Sequence, residues 1–436
     1  MSDRLRRCAL VVLLCLLCLL AGCTQAPEHE LTPAPSAGPS TAVRTGPNSL
    51  QVAAQHHRIA QRIMHQRERA VRDNDERAWL AGLDRSNTGM VARQRRLFHN
   101  LVALPLQVFT LDAVDATWPS DFAKDKWRAT AYIPYVEQRL QLRGFDPIPV
   151  TTTYGMTFAP VHGRWRIVSD DDVADREAEG ARSAPWDLTR IDVHRTAHAL
   201  GIFDAGSDDQ SAQIMAWTEE SVRRVRAAVP LKWPGNVVVY ALSDKKVIAV
   251  LGKRMLSRAA VAFPVLDNNE NPTRRVSTRV VINPRDLPRS ELVGTYLLSH
   301  EITHVALART GYGTPAWLQE GLADYVGTRH GDPSIWYLAR SSVARTAKGV
   351  DAMPTSTYFG DDDPAFDYDL SLAACLSLAD RGGDAKLWRF LRALDASASD
   401  ENPEGDVDRV LRRHYGFDEA GLARRAADLL VRRGGS

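Results

Sequence analysis

The order of apolar and polar positions divides the chain into stretches of different period. Residues 50–101 read as helical, with segments at Leu50–Val71, Arg77–Leu83 and Thr88–Leu101. From Leu106 the period falls to two. Strands are expected in the run opening at Leu106–Phe109, within Trp127–Leu142, and at Tyr154–Pro160 and Arg164–Val168, the last two flanking a turn at Val161-His162-Gly163. Asp170, Asp171 and Asp172 then open a polar linker. Beyond residue 186 the pattern is mixed: a β-rich stretch at Thr196–Phe203, a long helix at Ser207–Val229, a strand at Val237–Leu242, a short helix near Lys245–Leu251, and apolar strands at Val261–Leu266 and Arg279–Ile282. The strongest helix runs from about Ser290 to Arg309, bounded by Pro288 and Gly311. Helices follow at Tyr368–Ala379, Ala385–Leu394, Val407–Arg413 and Glu419–Arg432. The fold class read from this order is α+β.

The amino terminus is a targeting segment rather than a fold element. Arg4, Arg6 and Arg7 lead into an apolar run, Cys8–Leu20, that is too short to cross a membrane and suits a signal-peptide core. The run ends in Leu20-Ala21-Gly22-Cys23, which resembles the bacterial lipobox; the resemblance implies lipidation of Cys23 and an extracytoplasmic, membrane-anchored protein. Residues 24–48 carry Pro27, Pro33, Pro35, Pro39 and Pro47 and read as a semi-extended tether. The expected organisation is a signal peptide over 1–22, lipidated Cys and tether over 23–49, an α+β domain over 50–172, a linker over 173–185 and a second domain over 186–436.

Composition sharpens this only at two points. Across 436 residues the net charge is +2, so nothing in the charge calls for a nucleic-acid partner. Four of the five cysteines lie at or before position 23, leaving Cys375 with no partner for an intrachain disulfide in a mature chain; its apolar neighbours make it a core thiol.

The chemistry sits in the strongest helix, at His300-Glu301-Ile302-Thr303-His304. Histidines four apart lie on one helix face about 6 Å apart along the axis, so both rings reach one zinc ion. Glu301 between them is placed to take a proton from a water that the metal polarises. The flanking Leu292–Leu298 and Val305–Leu307 are apolar, which buries the motif; buried imidazoles and a carboxylate need a partner, and zinc supplies one. A third ligand comes from the next helix, for which Thr314 is the expected N-cap and Pro315 the first residue. Glu320 and Asp324 share a face of it, one for the metal and one behind a ligand histidine.

His300-Glu301-x-x-His304 followed by Pro315-x-Trp317-Leu318-x-Glu320-Gly321-Leu322-Ala323 resembles the gluzincin metallopeptidases, in particular the peptidase-MA-like domains of bacterial envelope proteins. The resemblance implies a zincin-like domain with a mixed sheet, an active-site helix and a helical carboxy-terminal part. It implies zinc on His300, His304 and Glu320, Glu301 as general base and acid, and Asp324 supporting His300. Tyr368 matches a tyrosine that stabilises the oxyanion, with Tyr358 and His330 as rivals. The strand Arg279–Ile282 matches the edge strand that receives an extended peptide. The gap from His304 to Glu320 is shorter than in thermolysin-like members. A metzincin would need Gly at 307 and His at 310, where the chain has Leu307 and Thr310. Residues 50–172, helices first and then a meander, resemble the nuclear-transport-factor-two-like (cystatin-like) cone fold.

The reading is a zinc metallopeptidase acting on a peptide or protein substrate in the cell envelope. Two rivals remain: a zinc-binding envelope lipoprotein that cleaves little, and a hydrolase of a non-peptide amide. His194 and His198 also lie four apart, but on an expected strand, about 13 Å from each other. The Asp361–Asp363 run reads as a solvated loop.

Overall fold

The computed structural model describes residues 47–115, 131–174, 181–269, 274–311, 313–329, 340–346, 348–357, 359–360, 363–399 and 401–434. The signal segment, Cys23, most of the tether, Tyr358, His330, Asp361 and Asp362 lie outside the described residues. The described chain forms two compact units, one built from residues up to 193 with 264–277, the other from 194–263 and 278–434.

The first unit opens with α1 (Pro47–Arg72), α2 (Glu76–Ala81) and α3 (Thr88–Ala103). Asp75 and Asn87 cap α2 and α3 through the N–H groups of Ala78 and Met90. Strands β1 (Leu106–Val114), β2 (Tyr135–Leu142) and β3 (Val150–Gly155) form an antiparallel sheet in that order. β4 (Thr157–Val161) and β5 (Arg164–Ser169) form a separate hairpin. The single strand expected at 154–160 is thus two, divided at Met156. Trp79, Phe98, Met64 and Phe158 are fully buried in this unit. α4 (Pro185–Leu188) closes it.

The second unit is built on a five-stranded sheet, in the order β6 (Ile191–Arg195), β7 (Ala199–Asp204), β8 (Val237–Ala241), β10 (Arg275–Ile282), β9 (Ala260–Leu266). β7–β8 and β8–β10 are parallel. The β6–β7 and β9–β10 connections are far too short for a crossover, so these pairs are antiparallel and the sheet is mixed. The stretch at 196–203 is therefore the turn and second strand of a hairpin: His194 lies on β6 and His198 in the turn. His194 bonds Asp208 at 2.8 Å, and His198 bonds Glu219. Parallel strands are buried on both faces, and all five residues of β8 and all six of β7 are buried.

α5 (Ser211–Ala228) and α6 (Lys245–Leu251) connect the strands. α7 (Glu291–Leu307) follows β10, and it is apolar all round because protein surrounds it. α8 (Ala316–Arg329), α9 (Arg340–Thr346), α10 (Pro364–Gly382), α11 (Asp384–Asp395), α12 (Val407–Tyr415) and α13 (Glu419–Gly434) make the helical carboxy-terminal part. One apolar core runs from Phe203 and Ile282 through Ile302 and Trp317 to Leu391 and Leu430. Cys375 lies inside it, fully buried, and burial pushes its thiol well above its usual range. Mixed sheet, motif-bearing helix and helical carboxy-terminal part are the elements of the zincin-like plan. Among the described residues no helix is long and apolar enough to cross a membrane.

Candidate metal centre

α7 and α8 are joined by a tight connection in which Gly311 takes a positive φ of 108°. Its N–H donates to Asp395 Oδ1 at 2.8 Å. Thr314 does not cap α8: its hydroxyl donates back to the Gly311 carbonyl at 2.6 Å, and the Gln319 amide donates to its carbonyl. The Pro315 carbonyl accepts the first helical bonds, from Leu318 and Gln319. This turn lets the short gap between His304 and Glu320 bring both residues to one point. α8 in turn packs closely on α10. A Cβ at Gly321 would meet the Ser371 carbonyl oxygen at 2.4 Å, so only glycine fits beside Glu320.

His300 Nε2, His304 Nε2 and Glu320 Oε2 form a triangle with sides of 3.2, 3.2 and 3.4 Å. Ligands about 2.0–2.1 Å from a tetrahedral zinc lie about 3.3–3.4 Å apart, so the triangle has the size of one face of that tetrahedron. His300 and Glu320 are almost wholly buried. His300 Nδ1 lies 2.7 Å from Asp324 Oδ1, which also accepts the Tyr296 hydroxyl at 2.6 Å. A carboxylate oxygen accepting at this site fixes the proton of His300 on Nδ1 and leaves Nε2 a bare lone pair. Glu320 Oε2 is buried, and among the described residues its nearest polar neighbours are the two imidazole nitrogens, 3.2 and 3.4 Å away. The three atoms lie close enough together for one cation to take all of them, and two imidazole nitrogens with a carboxylate oxygen are a donor set that suits zinc. Burial pushes the Glu320 carboxyl up, but charged forms of His304 and His300 beside it would hold it well below the usual range. A divalent ion on the neutral rings would do the same.

Glu301, between the two histidines in sequence, is fixed by a separate bond. It is 1% exposed, and its Oε2 accepts the Ala262 N–H at 2.7 Å. Ala262 lies on β9, one of the two terminal strands of the sheet, whereas β10 is flanked on both sides. The edge strand is therefore Ala260–Leu266 and not Arg279–Ile282. Pro264 marks the edge: it sits two residues from Ala262, on the same outward side, and has no N–H to leave unpaired.

Tyr368 is not at a helix start. Pro364 begins α10 under an Asp363 cap, which places Tyr368 in the second turn, buried, with its ring centroid 6.4 Å from that of His300 and 5.2 Å from that of Phe359. Two contributors were not foreseen. Tyr296 precedes His300 by four positions on the same face, a spacing that could have shown it. The Ala262 N–H is a backbone group and has no side-chain signal.

Fold and site together are those of an α+β chain with a mixed sheet, whose motif helix and following helix bring together, in the interior, three atoms that could hold a metal ion. No family model matches the chain, and no curated protein matches it. Solved structures do. A two-domain M1 zinc metallopeptidase bound to L-arginine matches with TM-score 0.33 and 14% identity over 55% of this chain and 51% of that one. A yeast LTA4 hydrolase gives 0.32 and 12%, over 56% and 38%. An M1 zinc metallopeptidase from Deinococcus radiodurans gives 0.34 and 15%, over 69% and 62%. The chain spans between 38% and 62% of the lengths of these proteins. Likeness this distant says nothing of chemistry, and the reading of the site rests on its side chains.

Proposed function

We propose that the chain is a zinc-dependent hydrolase of peptide bonds that works outside the cytoplasm on a lipid anchor at Cys23. The observation that carries the proposal is the buried triangle of His300 Nε2, His304 Nε2 and Glu320 Oε2, whose sides of 3.2, 3.2 and 3.4 Å fit one ion. His300, His304 and Glu320 would hold the ion. Zinc, when bound, supplies Lewis-acid polarisation of a carbonyl and of water. Three protein ligands among the described residues is the number that catalytic zinc sites use.

The remaining work falls to the protein. Glu301, held by the Ala262 N–H, accepts the proton of the attacking water and returns it to the leaving amine. Asp324 and Tyr296 keep His300 in the tautomer that presents Nε2. The outward edge of β9 offers backbone groups beside Glu301, where an extended peptide can add as a further strand. Tyr368, near His300, is the candidate for stabilising the oxyanion. The amino-terminal domain, with its resemblance to the nuclear-transport-factor-two-like fold, serves as a non-catalytic module.

A mixture of unstructured peptides incubated with the purified chain tests the reading. Cleavage is expected that a chelator abolishes, zinc restores and Glu301→Gln eliminates. Cleavage that survives in Glu301→Gln would refute it. Membrane association that persists unchanged in Cys23→Ser would refute the anchor.

A further inference from the structure

The first unit holds a polar cavity of about 90 Å³, lined by Arg67, Arg93, Arg96 and Arg182 with Asp170 and Asp187. Four guanidinium groups therefore face two carboxylates. Asp170 is already used: Arg93 pairs with it at 2.5 Å, and the Gln94 amide donates to its other oxygen at 2.7 Å. Arg93 also pairs with Asp171.

Arg67 is 2% exposed. Its guanidinium carbon lies 3.4 Å from the centroid of Trp79, and it donates to the Trp79 carbonyl and to Gln94 Oε1. Its Nε is buried with no acceptor. Arg96 donates to the Asp187 carbonyl at 2.9 Å, and its Nε is likewise buried and unpaired. Neither arginine has a carboxylate within ion-pair distance among the described residues. Burial lowers the Arg67 pKa to about 10, so the group stays cationic at neutral pH. Burial also raises the Asp187 carboxyl to about 7, against the pull of Arg182, the Ala184 N–H and Arg96, which leaves it a partial counter-ion at best. A buried cation such as Arg67, and a buried unpaired N–H such as Arg96 Nε, cost free energy until an acceptor completes them.

We propose that this cavity binds a small oxyanion group, a carboxylate or a phosphate, through the Arg67 and Arg96 guanidinium groups. The planar fork of N–H donors suits the paired oxygens of either group. Trp79 covers one face of Arg67, and because the two terminal nitrogens already donate to Trp79 and Gln94, Nε is the donor left for a ligand. The volume admits a group of a few heavy atoms, which points to the head of a small metabolite or a free ion rather than to a nucleotide or a peptide. The site is independent of the metal centre, and its failure would leave the hydrolase reading untouched.

Titration calorimetry on the whole purified chain, with inorganic phosphate and separately with acetate and succinate in chloride of matched ionic strength, tests the proposal. One-site saturable binding of at least one probe is expected. Arg96→Gln should weaken it about tenfold or more. Asp187→Asn should tighten it several-fold, since it removes a negative charge that repels an anion from the same cavity. Binding of phosphate alone would point to a phosphate source, and binding of acetate or succinate alone to an organic acid. No saturable binding of any probe overturns the proposal, as does binding that neither variant changes. Should Arg96→Gln not fold, Asp187→Asn decides alone: tighter binding sustains the site, and unchanged binding removes it.

Discussion

The Ala262 N–H and the Glu301 carboxylate meet at 2.7 Å, so the edge strand of the sheet and the motif helix are joined at the group proposed to move the proton. The bond fixes the direction of Glu301 and aligns it with the strand edge along which a peptide would lie. An acid–base group set about 1 Å off its path can lose about 10²-fold of its effect.

Ala262→Pro removes this donor and little else, because β9 already carries a proline at 264. Zinc content is expected to stay at the wild-type level while kcat falls by about 10²-fold. An unchanged kcat in a zinc-loaded variant would show that the bond does not position Glu301.

Tyr296→Phe deletes one of the two donors on Asp324 Oδ1. The expected result is zinc affinity weaker by about tenfold, with Asp324→Asn weaker still, in the range that such supporting groups carry. Competition with a chromophoric chelator measures both. Equal affinity in wild type and Tyr296→Phe would mean that Asp324 holds His300 without help.

Asp187 gives a pH dependence of stability. Its folded carboxyl titrates near 7, against an ordinary 3.8, so the fold favours the protonated form. That contribution is fully present below pH 3.8 and is lost as pH rises through about 7. Asp187→Asn has no such loss. Its melting temperature relative to wild type should climb from pH 4 to pH 7 and level off above, in buffers free of phosphate and carboxylate. A difference constant across that range contradicts the assignment.

Much of the site could be read from the chain because it is local. The helix boundaries around His300 differ by one or two residues from those expected, since Pro288 and Gly311 are local stops and the apolar flanks state their own burial. Glu320 and Asp324 follow from i, i+4 spacing on α8. What escaped depends on distant pairing. The rank of β9 and β10 within the sheet is set by which strands meet, and only Pro264 hinted at the edge. The turn at 196–198 carries neither Gly nor Pro, so the sequence marks only the second strand of the β6–β7 hairpin, and starts it three residues early. Thr314 looked like a cap, but its hydroxyl found a nearer acceptor in the turn that glycine makes possible.

Metal content of the purified chain, beside Glu320→Ala and Glu301→Gln, tests the central claim most directly. About one zinc per chain is expected in wild type and in Glu301→Gln, with a large loss in Glu320→Ala, because only the last removes one of three ligands. Wild-type protein that takes up no zinc, even when zinc is added back, would contradict the account and leave the triangle of His300, His304 and Glu320 as a polar cluster without a metal.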